Sequence, residues 1–272
     1  LTKCLVQMKT AKMPEYPKKY EKEFARFTTY MVESMGSQFK NESLNSLHVK
    51  TVEKFQDAKQ VGNYAKVFLG LSRKAKRKIL KRFSTKRIEK YVDDLLRKVD
   101  SYNQAQTYKG FEKATGISSA QYIQNESVQQ SINAYKLETQ VWALKLRDDT
   151  LQAFTANTLR AMAEGEPMSE VIAGFDLTKS KRKDAAQFVA RQQVTTFNSL
   201  ASKARMLDAG ITKAVWKTTQ DERKRVCHQA RHDKVFILSE GLYSSCDQKT
   251  LLPGLDFGCR CSSHAIFEED EE

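Results

Sequence analysis

Soft and imidazole side chains are concentrated at one end of this chain. Four of the five cysteines and three of the four histidines fall between residues 227 and 264, leaving only Cys4 and His48 before them. The order is Trp216, Asp221, Arg223, Arg225, Cys227-His228 and His232, then Cys246, Pro253-Gly254, Cys259-Arg260-Cys261 and His264. Such a cluster can hold a metal, activate a nucleophile or brace a compact module. Zinc asks for four N or S ligands, usually from two turns. Cys259 and Cys261, two apart on extended chain, point to one side. His228 and His232, at i and i+4, would share a face of a helix. These four make a candidate Cys2His2 zinc site, although no Cys-x2-Cys knuckle is present. Buried thiols and hydrogen-bonded imidazoles are the commoner use of such residues.

Catalysis has less to build on. Asp221, His228 and a cysteine can be drawn as an activated thiolate constellation. A nuclease drawn on His228 and His232 would cleave DNA in a metal-dependent way and lose that activity in His228→Ala. The sequence has no nucleophile elbow, phosphate loop or paired-carboxylate motif beside them. The expectation is therefore a protein that is not an enzyme and needs no cofactor, with zinc the one ion to consider.

The elements that must position this cluster follow from periodicity. Phe24, Phe27, Met31 and Met35 repeat at helical spacing before Gly36, within a helical stretch from 14 to 70. Ile88, Tyr91, Val92, Leu95, Leu96 and Val99 mark one buried face in a helix over 71–100. Residues 101–135, rich in Gln, Asn and Ser, read as a loose connection with a short helix around 119–135. A long helix over 139–163, carrying Val141, Trp142 and Phe154, stops at Gly165-Glu166-Pro167. Ser169 would cap a short helix through Phe175. A further helix over 182–209 turns Ala186, Val189, Ala190, Phe197, Leu200, Ala204 and Leu207 to a core and ends at Gly210. Ala214-Val215-Trp216 and Val235 to Leu238 read as strands. The fold class is thus mostly α: a long helical body followed by a small α+β C-terminal module with short strands. The divisions are 1–138, a basic helical region; 139–212, a helical segment leading into the module; 213–267, the module; and 268–272, an acidic tail.

Charge adds a second line. The chain of 272 residues carries a formal +13. Its last five residues are all acidic, so residues 1–267 carry +18. An excess of this size suits a polyanionic partner. The densest stretch is Arg73, Lys74, Lys76, Arg77, Lys78, Lys81 and Arg82, seven basic residues in ten. Like charges at i and i+4 repel by about 0.2–0.5 kcal/mol per pair, so a phosphate partner would relieve them. There is no run of eighteen apolar residues, so no membrane span or membrane partner is expected. Leu1 to Val6 lack a signal-peptide core, and a chain that starts at Leu1 is the start expected after trimming. An odd cysteine count, not spread through the chain, points to reduced thiols.

Taken in order, the terminal residues resemble the phage Mu F-like minor head proteins, also called phage head morphogenesis proteins. That family shows an Ala-Arg helix start, a Gly-Ile turn, a Trp-x-Thr strand, an Asp-x-Arg-x-Arg-x2-His segment, a Val-Phe strand, Pro-Gly and Asn-Cys-Arg-Cys. Here stand Ala190-Arg191, Gly210-Ile211, Trp216-Lys217-Thr218, Asp221 to His228 with Arg223 and Arg225, Val235-Phe236, Pro253-Gly254 and Cys259-Arg260-Cys261. The agreement covers roughly residues 185–265 and thins toward 150. Gln192 and Gln193 replace an acidic residue, Arg231-His232-Asp233 replaces a Leu-Asp-Gly turn, and Gly258 replaces Asn.

The resemblance implies that these residues build a fold, with Asp221 accepting from Arg223, Arg225 or Arg260 and Trp216 covering the core. It implies a virion protein of the capsid interior near the portal vertex, present in host cytoplasm during assembly. Its expected partners are the portal protein and double-stranded DNA held without sequence preference, with scaffolding or major capsid protein as further candidates. The alternative from a different class is a zinc-stabilised nucleic-acid-binding regulatory protein.

Overall fold

The computed structural model describes residues 9–14, 16–47, 58–122, 125–220, 222 and 224–267. Five long helices dominate it: α1 (Lys18–Phe39), α2 (Ala58–Arg82), α3 (Thr85–Thr115), α4 (Glu126–Ala163) and α5 (Met168–Asp208). A single-turn helix, α6 (Val226–Gln229), lies in the C-terminal module. Strands β1 (Lys9–Ala11), β2 (Lys213–Lys217), β3 (Val235–Ile237) and β6 (Ser262–Phe267) form an antiparallel sheet in the order β1-β6-β2-β3. Strands β4 (Leu242–Ser244) and β5 (Lys249–Leu251) form a separate hairpin. The mostly helical body and small stranded end agree with the expected class.

The chain divides into two compact units. One comprises residues 1–22, 93–139 and 191–272; the other comprises 23–92 and 140–190. Neither is a continuous stretch.

In the second unit the helical faces follow the apolar periodicity. Phe24, Met31, Val32, Met35 and Phe39 of α1 are buried. Phe39 meets Phe68, Phe154 and Phe175 at ring separations of 6.1, 5.7 and 5.8 Å. Phe27 stacks on Tyr91 at 3.7 Å. Helix α2 buries Phe68, Ser72, Ala75 and Ile79, spaced four, three and four apart. Every basic residue from Arg73 to Arg82 therefore stays exposed.

In the first unit the core gathers Ala11, Met13, Tyr108, Phe111, Met206, Ile211, Ala214, Trp216 and Phe236. Gly210 ends α5 with a positive φ of 75°. There the Ile211 N–H reaches back to the Met206 carbonyl and the Gly210 N–H to that of Leu207, which satisfies the last carbonyls of the helix. β1, which no sequence signal announced, pairs with β6 through Lys9 to Ala11.

Three expectations fail, besides the helix over 71–100, which is divided between α2 and α3 at Phe83-Ser84. Residues 101–115 are not a connection but the C-terminal half of α3. Their polar side chains look outward-facing in sequence, yet Asn103 and Thr107 are wholly buried. Asn103 Nδ2 lies 2.9 Å from the Asn198 carbonyl, 3.0 Å from Asn198 Oδ1 and 2.7 Å from Ser202 Oγ. Its Oδ1 accepts from Arg205 Nη1 at 2.5 Å. Second, residues 168–208 are one helix and not two, because nothing between 176 and 181 breaks helical backbone. Third, Leu207 is 41 % exposed while its neighbours Arg205 and Met206 are fully buried. Arg205 is held there by Asn103 and by an ion pair with Asp100.

Asn103→Ala removes the acceptor of a buried guanidinium and strands three further groups. We expect it to cost about 2–4 kcal/mol in denaturant unfolding, well above Gln106→Ala at an exposed position of the same helix. A loss under about 0.5 kcal/mol would mean that water replaces these bonds.

Candidate functional site

Trp216 of β2 and Thr218, one residue past its end, share a face, since they are two apart on extended chain. Trp216 is fully buried and donates from Nε1 to Thr218 Oγ1 at 3.2 Å. The Thr218 hydroxyl in turn donates to the His228 carbonyl at 2.8 Å. This holds α6 beside the strand and turns the His228 ring, 4 % exposed, inward.

The opposite wall is the loop from 252 to 261, laid on α5. Gly254 has φ +84°, and a Cβ there would come within 1.9 Å of Ser199 Oγ, so only glycine permits this approach. Gln192 of α5 accepts the Gly258 N–H at 2.7 Å and donates to the Leu255 carbonyl at 3.4 Å. The loop delivers Cys259 and Cys261, both buried, to the imidazole. His228 Nδ1 lies 3.5 Å from Cys259 Sγ and 3.4 Å from Cys261 Sγ. On its far side, Nε2 meets Asp256 Oδ2 at 3.2 Å. One ligand atom from each of His228, Cys259 and Cys261 lies within 4.8 Å of the others.

The electrostatics are those of a coupled thiol pair beside an imidazole. The hydrogen bond from Cys259 holds the Cys261 thiol down at about 7, against burial. The same bond, with burial, pushes Cys259 up. Hydrogen bonding to Cys259 raises His228 above its ordinary value, against desolvation. Cys261 is the acid of the pair, and the imidazole is disposed to share its charge.

Of the four expected zinc candidates, three converge and His232 does not. Helix α6 ends at Gln229, so the shared i, i+4 face never forms. His232 Nδ1 instead accepts the Thr218 N–H at 3.1 Å, and Nε2 faces Asp233. Asp221 and Arg223 lie outside the described residues. Arg225 pairs with Asp256 at 2.5 Å. Arg191 pairs with Glu21 at 3.3 Å. Arg260 lies between the two buried cysteines, half-buried, and its carbonyl accepts from Thr219 Oγ1 at 2.7 Å.

Two features had no sequence signal. The first is Arg231, fully buried although it occupies an expected turn. It donates to both Asp247 oxygens at 2.9 and 2.7 Å, and to the carbonyls of Leu242, Cys227 and Lys249. Its guanidinium also lies 5.4 Å from the Trp216 ring centroid. The second is a disulfide between Cys227 and Cys246, which corrects the expectation of reduced thiols throughout. Spacing alone cannot pair cysteines; the fold brings α6 to the turn between β4 and β5, and there they meet.

The sequence model of the family described as "Phage Mu protein F like protein" matches residues 152–264. An uncharacterized protein of Haemophilus influenzae (strain ATCC 51907 / DSM 11121 / KW20 / Rd) is 27% identical over 214 residues, 76% of this chain and 46% of that protein. The chain thus spans about half the length of the curated relative it matches. No solved structure matches the chain.

Arg231→Ala would leave the Asp247 carboxylate and three carbonyls without their donor. Urea unfolding should show a loss of about 3–5 kcal/mol. Arg231→Lys should recover less than half, because an ammonium cannot span the carboxylate and the carbonyls together.

A pH dependence follows from His264 on β6. Burial holds this imidazole at about 4, below its ordinary 6.5, with Lys217 and Lys12 adding in the same direction. Between those values the unfolded chain takes up a proton that the folded one refuses, so stability falls as pH drops from about 6.5 to about 4. Asp247, held at about 2 by Arg231, loses its contribution only below this window. Melting temperature followed across the window should drop, and His264→Asn should flatten the slope. An identical slope in the variant would show that the imidazole is hydrated.

Proposed function

We propose, from the match of residues 152–264 to the Phage Mu protein F-like family, that this chain is a structural protein of phage head morphogenesis. The family points to a part of the capsid and not to an enzyme. Within that frame the finer reading is a minor head protein of the capsid interior, bound to the portal and touching packaged DNA, with a part in head assembly and in genome packaging or ejection.

The observation that carries the DNA contact is the outward face of α2. Arg73, Lys74, Lys76, Arg77, Lys78, Lys81 and Arg82 are all exposed while Phe68, Ala75 and Ile79 hold the helix from behind. Lys78 is partly neutralised by Glu42, and Arg82 lies against Tyr30 and Phe83. The rest of the run projects into solvent, and a face so charged suits phosphate contact without base reading. Among the described residues no helix is long and apolar enough to cross a membrane. The rival reading, a zinc-stabilised nucleic-acid-binding regulator, would need a recognition element in the C-terminal module, where α6 has only 4 residues.

DNA binding measured against salt tests this. Every phosphate that the protein no longer neutralises should flatten the slope of log K against log salt by about 0.9. Replacing the seven residues by Gln should flatten it by several such steps and weaken binding to any duplex equally. Unchanged affinity and slope would remove α2 from the DNA contact, and failure to co-purify with a portal ring would remove the portal.

A further inference from the structure

We propose that His228 Nδ1, Cys259 Sγ and Cys261 Sγ hold one zinc ion, with a water in its fourth position and Asp256 bracing the imidazole. The inference rests on the C-terminal geometry alone and stands whichever role the chain has in the head.

The spacing admits a shared tetrahedral ion. Zinc about 2.0–2.1 Å from nitrogen and about 2.3 Å from sulfur sets those two atoms about 3.6 Å apart. The observed separations are 3.5 and 3.4 Å. The tautomer is also set. With Nε2 donating to Asp256, the lone pair sits on Nδ1, the atom that faces both sulfurs. A carboxylate behind a ligating histidine fixes the ring and raises its basicity.

The backbone around Cys259 is arranged to stabilise a metal-bound thiolate. Its sulfur accepts the backbone N–H of Gly254 at 3.3 Å and of Cys261 at 3.4 Å. Two amide donors on one buried sulfur favour negative charge there. Two thiolates and one neutral imidazole would leave the loaded site without net charge, which suits side chains 3–5 % exposed. The donor set selects zinc over magnesium or calcium, which prefer oxygen.

The fourth position opens on a cavity of about 30 Å³ lined by Thr218, Thr219, Lys224, Arg225, Gly258 and Arg260 beside the three ligands. That is room enough for a water. The ion would tie α6 to the loop that precedes β6.

Full-length protein purified from zinc-supplemented cells should contain about one zinc per chain by elemental analysis. Titration of the reduced, metal-stripped chain with Co²⁺ should give a thiolate-to-cobalt charge-transfer band that saturates at one equivalent. This measurement needs no variant to fold. Cys227→Ser/Cys246→Ser should keep the full equivalent, which excludes the disulfide thiols as its source. Cys259→Ser/Cys261→Ser should lose it, and Asp256→Asn should weaken affinity by about 10–100-fold. Protein with neither zinc nor a cobalt–thiolate band overturns the proposal. So does full metal content in the Cys259→Ser/Cys261→Ser chain.

Discussion

Helix α6 is one turn long, and a single turn fixes several residues' backbones for little hydrogen bonding in return. It cannot hold itself in place, yet the module's buried polar chemistry is arranged around it. The residues at 227, 228 and 231 compensate. Cys227 bonds covalently to Cys246 beyond the β4 strand. His228 faces Cys259 and Cys261 on one side and Asp256 on the other. Arg231 reaches Asp247 and the carbonyls of the same hairpin. Two of these ties run to the hairpin and one to the loop before β6. A module of short strands and one turn of helix has too little apolar area to manage otherwise.

The three ties fail in different ways. A disulfide acts chiefly by restricting the unfolded chain, and its loop of 19 residues is short. The Arg231–Asp247 pair acts in the folded state, where its worth depends on every guanidinium N–H finding an acceptor. Arg231 meets that condition with a carboxylate and three carbonyls. The His228 contact depends on the path of the loop from 252 to 261, and so on Gly254 lying against Ser199 and Gly258 donating to Gln192. Gln192, which stands where the family pattern has an acidic residue, has a definite task here. Its amide offers both an acceptor for an N–H and a donor for a carbonyl, and a carboxylate could supply only the first.

Legibility in the sequence follows the same physics. Faces built by apolar burial are readable: Ile88, Val92, Leu95, Leu96 and Val99 are all inside, as their spacing predicts. So is the Schellman stop at Gly210, because glycine at a helix end has one main use. The half of α3 after residue 100 is not readable. Asn103 and Thr107 look like surface residues until Arg205, about a hundred positions away, supplies the reason to bury them. Arg231 is hidden for the same reason, since its partners are carbonyls that no sequence displays. Among the ligand candidates, Cys259 and Cys261 are legible from local strand geometry. The divergence of His232 turns on where α6 ends, and that is set by the turn through Asp233 at φ +60°.

The charge of the chain bears on why a thiol–imidazole cluster should be buried at all. In a chain of net +13, a buried protonated imidazole beside neutral thiols would add one more desolvated cation. Three responses are open to the site: the imidazole can stay neutral, a thiolate can balance it, or both thiolates can balance a divalent cation. The first leaves the Asp256 contact weak, since it strengthens when the ring is positive or its Nε2 is a firm donor. The second leaves the two N–H donors at Cys259 aimed at a sulfur that burial and its bond with Cys261 keep protonated. Only the third uses the imidazole lone pair, both sulfurs, the amide donors and Asp256 together. It also gives α6 a bond to the loop before β6 as directional as the disulfide that ties it to the hairpin.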